Sequence, residues 1–178
     1  MDYYKLNVCG LERNLPIIQI SDCLKIASFV LLGDTELSTK AGYELSKKID
    51  CDIILTAEAK GIELAHEIAR NLGEEDFIVA RKSKKSYMND PINVEVNSIT
   101  TKNTQKLFLD SKDAEKIKGK RIALVDDVIS TGESMSALEA LVEKAGGKVV
   151  QKLAILAEGD AADREDIIYL EKLPIFEN

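Results

Sequence analysis

The chain has few of the residues on which many functions are built. Its 178 residues include three cysteines, three prolines and one histidine. Cys9, Cys23 and Cys51 are widely spaced, odd in number and form no metal-type pair, so they read as reduced thiols of a cytoplasmic protein. The prolines fall singly at positions 16, 91 and 174, and no Gly/Ser-rich linker or internal repeat divides the chain. His66 is flanked by Ala65 and Ala69 on a helical pattern, a structural or surface setting, and no Ser-His-Asp or Cys-His arrangement can be assembled around it. No apolar run approaches the ~18–20 residues needed to span a bilayer. The opening Met1-Asp2-Tyr3-Tyr4-Lys5-Leu6 lacks the basic-then-apolar profile of a signal peptide. Basic residues are also in deficit. With 24 Lys and Arg against 31 Asp and Glu, the formal charge is −7, which argues against binding along a nucleic-acid backbone.

What is present suits a single globular domain over residues 1–178: 45% of residues are hydrophobic and 31% charged. Residues 1–33 read as an irregular apolar segment with one short strand at Leu15–Ile20. Asp34 can cap a helix running to about Lys48, and the apolar run Asp52–Thr56 is too short for anything but a buried strand. Ile62, Ala65, Ile68, Ala69 and Leu72 recur at helical spacing and stop at Gly73. Phe77–Ala80 is a further strand, residues 82–92 a lysine-rich loop, and the alternating stretches Asn93–Ile99 and Gln105–Leu109 suggest a hairpin. Strand Arg121–Val125, helix Glu133–Ala145 and strand Val149–Ala157 follow. Two strand–helix–strand units imply an α/β fold: a mainly parallel central sheet, right-handed crossovers, and a ligand site beyond the strands' carboxyl ends.

Chemistry concentrates in Arg121-Ile-Ala-Leu-Val-Asp126-Asp127-Val-Ile-Ser130-Thr131-Gly132-Glu133-Ser134. A buried strand runs into two carboxylates, a small polar loop and a helix start. Unpaired N–H groups and the helix dipole favour an anion at the loop, with Thr131 and Ser134 hydroxyls as added donors. The acidic pair stands within reach of a sugar whose phosphate occupies that loop, and could also hold Mg²⁺ through oxygen. Either half alone would suit an ordinary strand end or helix cap; joined on one strand–loop–helix they are specific. The spacing is not that of a Walker A loop.

This stretch resembles the phosphoribosyl-pyrophosphate (PRPP) motif of type I phosphoribosyltransferases. The resemblance implies that Asp126 and Asp127 are catalytic and hold the ribose hydroxyls, and that Ser130, Thr131, Gly132, Glu133 and Ser134 wrap the 5′-phosphate. Glu133 departs from the family's commoner Gly or Thr, so its carboxylate must point away from the phosphate. Two more segments agree. Leu55-Thr-Ala-Glu-Ala59-Lys60-Gly-Ile62 resembles the family's pyrophosphate loop, worded as in purine-type members, with a non-proline cis peptide implied at Glu58–Ala59. Arg81, Lys82 and Lys85 match the spacing of pyrophosphate-contacting cations in adenine phosphoribosyltransferases, where a dimer interface can be involved. Residues 82–104 correspond to the family's mobile lid. Its Val94-Glu95-Val96-Asn97-Ser98-Ile99-Thr100-Thr101 is closer to xanthine phosphoribosyltransferases and their purine-repressor relatives, with Glu95 a candidate lid residue.

The implied fold is therefore the type I phosphoribosyltransferase fold, with residues 1–33 contributing a small hood over the base. The implied activity is a Mg²⁺-dependent purine phosphoribosyltransferase of purine salvage, a homodimer with PRPP and a purine base as substrates and no membrane or nucleic-acid partner. Glu158, at the end of the last predicted strand, is the candidate base-binding residue. The Arg-Lys…Lys spacing favours adenine, with hypoxanthine/guanine next on Thr-Ala-Glu-Ala and Glu158-Gly159-Asp160. Xanthine is less favoured, because Gly159 stands where xanthine enzymes have a lysine. The rival from another class is a non-catalytic PRPP-sensing regulator of purine genes.

Overall fold

The computed structural model describes residues 2–97 and 104–177. Five strands, β4 (Ile53–Ala57), β5 (Ile78–Ala80), β8 (Arg121–Ile129), β9 (Lys148–Glu158) and β10 (Ile168–Leu173), form one sheet in the order β10-β9-β8-β4-β5. Every neighbouring pair in it is parallel. The alternation of side chains along a strand divides the core between its two faces. Ile54, Ala123, Val125, Leu153 and Ile155 pack on one side with α1 (Thr35–Ser46) and α2 (Ile62–Leu72). Leu55, Ile122, Leu124 and Ala154 pack on the other with α4 (Glu133–Lys144) and Ile117 of α3 (Ser111–Ile117). Burial on both faces explains why these strands read as continuous apolar runs.

The predicted helices and parallel strands are present within a few residues. Asp34 caps α1 through Leu37 N, and α2 closes at Gly73. Three expectations need correction. Residues 3–27 are not irregular: β1 (Tyr3–Val8), β2 (Leu11–Ser21) and β3 (Leu24–Ala27) form an antiparallel sheet, extended by β11 (Ile175–Glu177) on β3. The turn that starts it is Cys9-Gly10, with φ of 54° and 71°, joining Val8 directly opposite Leu11. Both positive φ values suit a two-residue hairpin, but Cys-Gly is not the Asn-Gly wording that announces one. Leu6, Val8, Leu11 and Leu15 of this sheet join the α1/α2 core. Second, the stretch between the hairpin and β8, to which the sequence pattern assigns no element, holds the short helix α3, capped by Asp110. Third, β8 does not stop at Val125. Pairing with β9 continues through Asp126↔Ala154 and Ile129↔Ala157, so the acidic pair lies on the strand itself.

The hairpin is present as β6 (Ile92–Asn97) and β7 (Thr104–Leu109), with Ile92, Val94, Leu107 and Leu109 packed into the α4-side core. Ser98, Ile99, Thr100 and Thr101, read above as part of a lid, lie outside the described residues. The chain leaves β4 toward β5 on one side of the sheet, and leaves β8 toward β9 on the other. Strand order therefore reverses between β4 and β8, whose carboxyl ends carry residues 58–61 and 130–134. In open α/β sheets that is the ligand crevice.

Candidate active site

A cleft of about 420 Å³ opens at that reversal. Its lining includes Glu58, Ala59, Lys60, Lys82, Asp126, Asp127, Ser130, Ser134 and Glu158. Thr131, Gly132 and Glu133 complete the turn into α4, around a small adjoining hollow that Asp126 also lines. Consecutive residues on a strand point to opposite faces, and this splits the acidic pair. Asp126 borders the Ser130–Ser134 hollow, whereas Asp127 is 1% exposed and faces Lys60, whose Nζ lies 3.4 Å from its Oδ2.

Both carboxylates are pinned locally: Asp127 N donates to Asp126 Oδ1 at 2.9 Å, and Val128 N to Asp127 Oδ1 at 3.0 Å. Asp127 Oδ2 accepts no hydrogen bond among the described residues. Burial first, and the charge of Asp127 second, push the Asp126 carboxyl up to about 7. Two crowded carboxylates with an unsatisfied buried oxygen offer hard oxygen ligands that suit Mg²⁺ held jointly with a substrate.

The phosphate loop follows from its backbone. Gly132 takes φ +82° at the N-cap of α4, a conformation other residues adopt only with strain. The N-cap residues of α4 and α2 are both glycines, Gly132 and Gly61, with no side chain to cap the helix; at α4 Thr131 Oγ1 lies 3.5 Å from Glu133 N. At the head of α2 a second glycine is required by space. A Cβ on Gly61 would lie 2.2 Å from Thr56 Oγ1 and 3.1 Å from Val125 O, so the helix start fits against β4 and β8 only as glycine. The Glu58–Ala59 peptide is cis, as the resemblance implied.

The basic cluster is arranged differently from a row of open cations. Glu58 gathers it: Arg81 Nε lies 2.8 Å from Oε2, Lys85 Nζ 3.3 Å from Oε1, and Lys82 N donates to Oε1 at 2.6 Å. Burial raises the Glu58 pKa, but Lys82 N–H, Lys85 and Arg81 together outweigh it and hold the group below the usual range. Arg81 and Lys85 thus reach the cleft through Glu58 and do not line it, while Lys82 does. Arg81 is also bridged to Phe108, which ties β5 to the hairpin. Glu58 was legible in the wording of its loop, but its partners, 23–27 residues away, were not.

Glu158 also lines the cleft, half-buried, its carboxyl raised by desolvation against the opposing charge of Lys60. The lining also includes Ile26, Ala27, Ser28, Phe29 and Val30 from β3 and the segment after it, and Leu173, which pairs with Glu158. Ile26–Val30 fall within residues 1–33, the segment expected to form the hood, but no single residue of it could be named, since a backbone-lined wall carries no side-chain signature. Glu95 forms an ion pair with Lys106 across the hairpin and does not line the cleft. His66 is exposed beside Glu67 and edge-on to Phe77, away from the cleft.

Residues 34–174 match the phosphoribosyl transferase domain family. The chain belongs to the phosphoribosyltransferase family. It is 30% identical over 173 residues, 94% of this chain and 86% of the relative, to a Methanococcus voltae protein named hypoxanthine/guanine phosphoribosyltransferase. It is also 30% identical over 128 residues, 72% of this chain and 70% of the relative, to an adenine phosphoribosyltransferase of Petrotoga mobilis. Among solved structures, the adenine phosphoribosyltransferase of Thermoanaerobacter pseudethanolicus superposes with a TM-score of 0.65, covering 96% of this chain and 95% of that one at 23% identity. At that identity the likeness is one of fold. At the sheet reversal of this phosphoribosyltransferase lie the acidic pair, the start of α4, Lys60 and Lys82, with Arg81 and Lys85 held on Glu58.

Proposed function

We propose that the protein is a purine phosphoribosyltransferase acting on PRPP, with adenine as the base and hypoxanthine/guanine as the alternative. The observation that carries this reading is the shared cleft. One wall gives a helix start with glycine at its N-cap for a 5′-phosphate, the strand before it gives two fixed carboxylates, and the facing loop gives Lys60 against Asp127. Relatives bearing both purine names, and the Arg81-Lys82…Lys85 spacing, support the choice of base.

In the proposed reaction the bond from C1′ of PRPP to pyrophosphate breaks, and a purine ring nitrogen forms the new bond to C1′. The ring loses a proton to solvent, and the products are a nucleoside 5′-monophosphate and pyrophosphate. The leaving group is intrinsically good, so the protein's part is positioning and charge stabilisation. Ser130–Ser134 anchor the 5′-phosphate. Asp126 and Asp127 orient the ribose hydroxyls and favour positive charge developing on the sugar. Lys60 and Lys82 face the departing pyrophosphate, with Arg81 and Lys85 behind them on Glu58. Mg²⁺, held by Asp126, Asp127 and substrate oxygens, would neutralise pyrophosphate charge. Glu158 and the wall Ile26–Val30 meet the base, so the N-terminal sheet acts as the hood and the 82–104 segment as the lid.

We also propose a cytoplasmic homodimer that binds no nucleic acid, in keeping with three free thiols and the −7 charge. No helix among the described residues is long and apolar enough to cross a membrane. The test is pyrophosphate release from Mg²⁺-PRPP with adenine, hypoxanthine, guanine or xanthine supplied singly. Release with adenine, or with hypoxanthine and guanine, fits the proposal. PRPP binding without release for any base would refute it in favour of a sensing role.

A further inference from the structure

Glu58 lines the cleft on the wall that is to receive pyrophosphate, yet it is itself an anion. It directly follows β4, and its N–H donates to Ala80 O of β5 at 2.9 Å. Its side chain is only 17% exposed and turns toward the segment that leaves β5. There Oε1 accepts from Lys82 N at 2.6 Å and lies 3.3 Å from Lys85 Nζ, while Oε2 lies 2.8 Å from Arg81 Nε. The same segment is fastened to β7 from its other side: Arg81 N donates to Phe108 O at 2.9 Å, and Phe108 N to Arg81 O at 2.8 Å.

These contacts are not of one kind. The bond from Lys82 N is short and directional, and it needs only an acceptor oxygen, which an amide would supply as well. The pairing with Arg81 rests on charge: Nε is buried, and its N–H donates no hydrogen bond among the described residues. Lys85 Nζ stands at 3.3 Å from Glu58 and donates at 2.8 Å to Ser83 Oγ. The backbone bonds therefore position the segment, and what the Glu58 charge adds is compensation of two cations behind the cleft wall. Lys60, the cation opposite, is compensated likewise by Asp127. Over a few ångströms at a partly buried wall, one uncompensated charge changes the binding of a polyanion by a large factor. Pyrophosphate is such a polyanion, with the oxygen chemistry that arginine and lysine accept from carboxylate and phosphate alike.

We propose that Glu58 is an affinity-setting residue for pyrophosphate: its charge offsets Arg81 and Lys85 at the cleft wall and holds pyrophosphate binding down, so that the product leaves. The inference rests on the phosphoribosyl reading of the cleft. It gives the loop carboxylate a sign opposite to that of every cation around it. Removing its charge while keeping its oxygen strengthens binding, whereas removing a structural prop would weaken it.

The test is calorimetric binding of Mg²⁺-pyrophosphate, and separately of AMP, to wild type, Glu58→Gln and Glu58→Asp. Glu58→Gln keeps the acceptor for Lys82 N and should bind pyrophosphate about tenfold more tightly, with AMP affinity within about twofold of wild type. Glu58→Asp retains the charge and should stay within about threefold of wild type for both ligands. If the glutamine variant does not fold, pyrophosphate inhibition of wild type against Lys85→Met decides: the methionine variant, which leaves Glu58 less compensated, should be inhibited about tenfold more weakly, and equal inhibition overturns the proposal. Unchanged or weaker pyrophosphate binding by a folded Glu58→Gln overturns it too, and equal weakening for AMP would make Glu58 a prop of the fold. If wild type binds no pyrophosphate, the phosphoribosyl reading of the cleft falls and this inference with it; wild-type binding without tightening in Glu58→Gln removes this inference alone.

Discussion

Asp127→Asn separates what the acidic pair does for the reaction from what it does for the fold. Asparagine keeps an acceptor at Oδ1, so the 3.0 Å bond from Val128 N survives. The ion pair to Lys60, a lysine 52% exposed, is worth about 0–1 kcal/mol and is lost. A new amide N–H₂ appears where Oδ2 has no hydrogen-bond partner among the described residues, at a cost of about 1–3 kcal/mol. Against these stands relief of the repulsion that helps push Asp126 up to about 7; each pKa unit recovered returns about 1.4 kcal/mol. The opposing terms are similar in size, so unfolding free energy should change by no more than about 2 kcal/mol in either direction. Turnover should fall ~10²–10³-fold, as when one preorganised electrostatic partner of a transition state is removed. Urea denaturation and pyrophosphate release on the same preparation read both quantities. A rate within about threefold of wild type in a folded variant would refute the reasoning and remove Asp127 from the machinery.

Other perturbations reach different parts of the account. Lys60→Met should raise the KM for PRPP about tenfold with little change in thermal midpoint, since its ion pair with Asp127 is half-exposed on the lysine side; steady-state kinetics and a melting curve check this. Gly61→Ala should destabilise the protein by about 1–3 kcal/mol in denaturant titration, because Thr56 Oγ1 and the backbone of β8 occupy the space of the added methyl. Asp34 both caps α1 and receives Arg13 at two points, Nε at 2.6 Å and Nη2 at 2.9 Å, so Asp34→Ala should cost about 2–4 kcal/mol in the same titration. Arg13 holds the Asp34 carboxyl below its ordinary value of 3.8. Its stabilisation is therefore complete above about pH 4 and drains away as pH falls through the lower folded value, a loss that the alanine variant should lack.

The parts of the site that were legible in the sequence are those that a single local segment encodes. Asp126–Ser134 is one strand, loop and helix start, and Thr56–Gly61 another; in each, the residue types state the backbone geometry and the chemistry together. Contacts between segments were not legible. The cations at positions 81, 82 and 85 could be read as charges, but nothing local says that Glu58 collects them. Arg164 meets Gly132 across 32 positions, a contact that no local pattern announces. The same limit applied to the fold. The parallel strands announced themselves by burial on both faces, whereas β1–β3 bury one face and begin at a Cys-Gly turn with no familiar wording. The end of β8 was misplaced because two carboxylates read as a strand's exit, when pairing to β9 carries them four residues further.

The central claim is transfer of a phosphoribosyl group from PRPP to a purine, and the most direct measurement is product identity under competition. The protein is given Mg²⁺-PRPP and an equimolar mixture of adenine, hypoxanthine, guanine and xanthine, and the nucleotides formed are resolved by mass spectrometry. The account predicts a nucleoside 5′-monophosphate matched by an equal amount of pyrophosphate, with AMP in excess over IMP and GMP. Intact PRPP with no nucleotide formed, from protein that still binds PRPP, would contradict it.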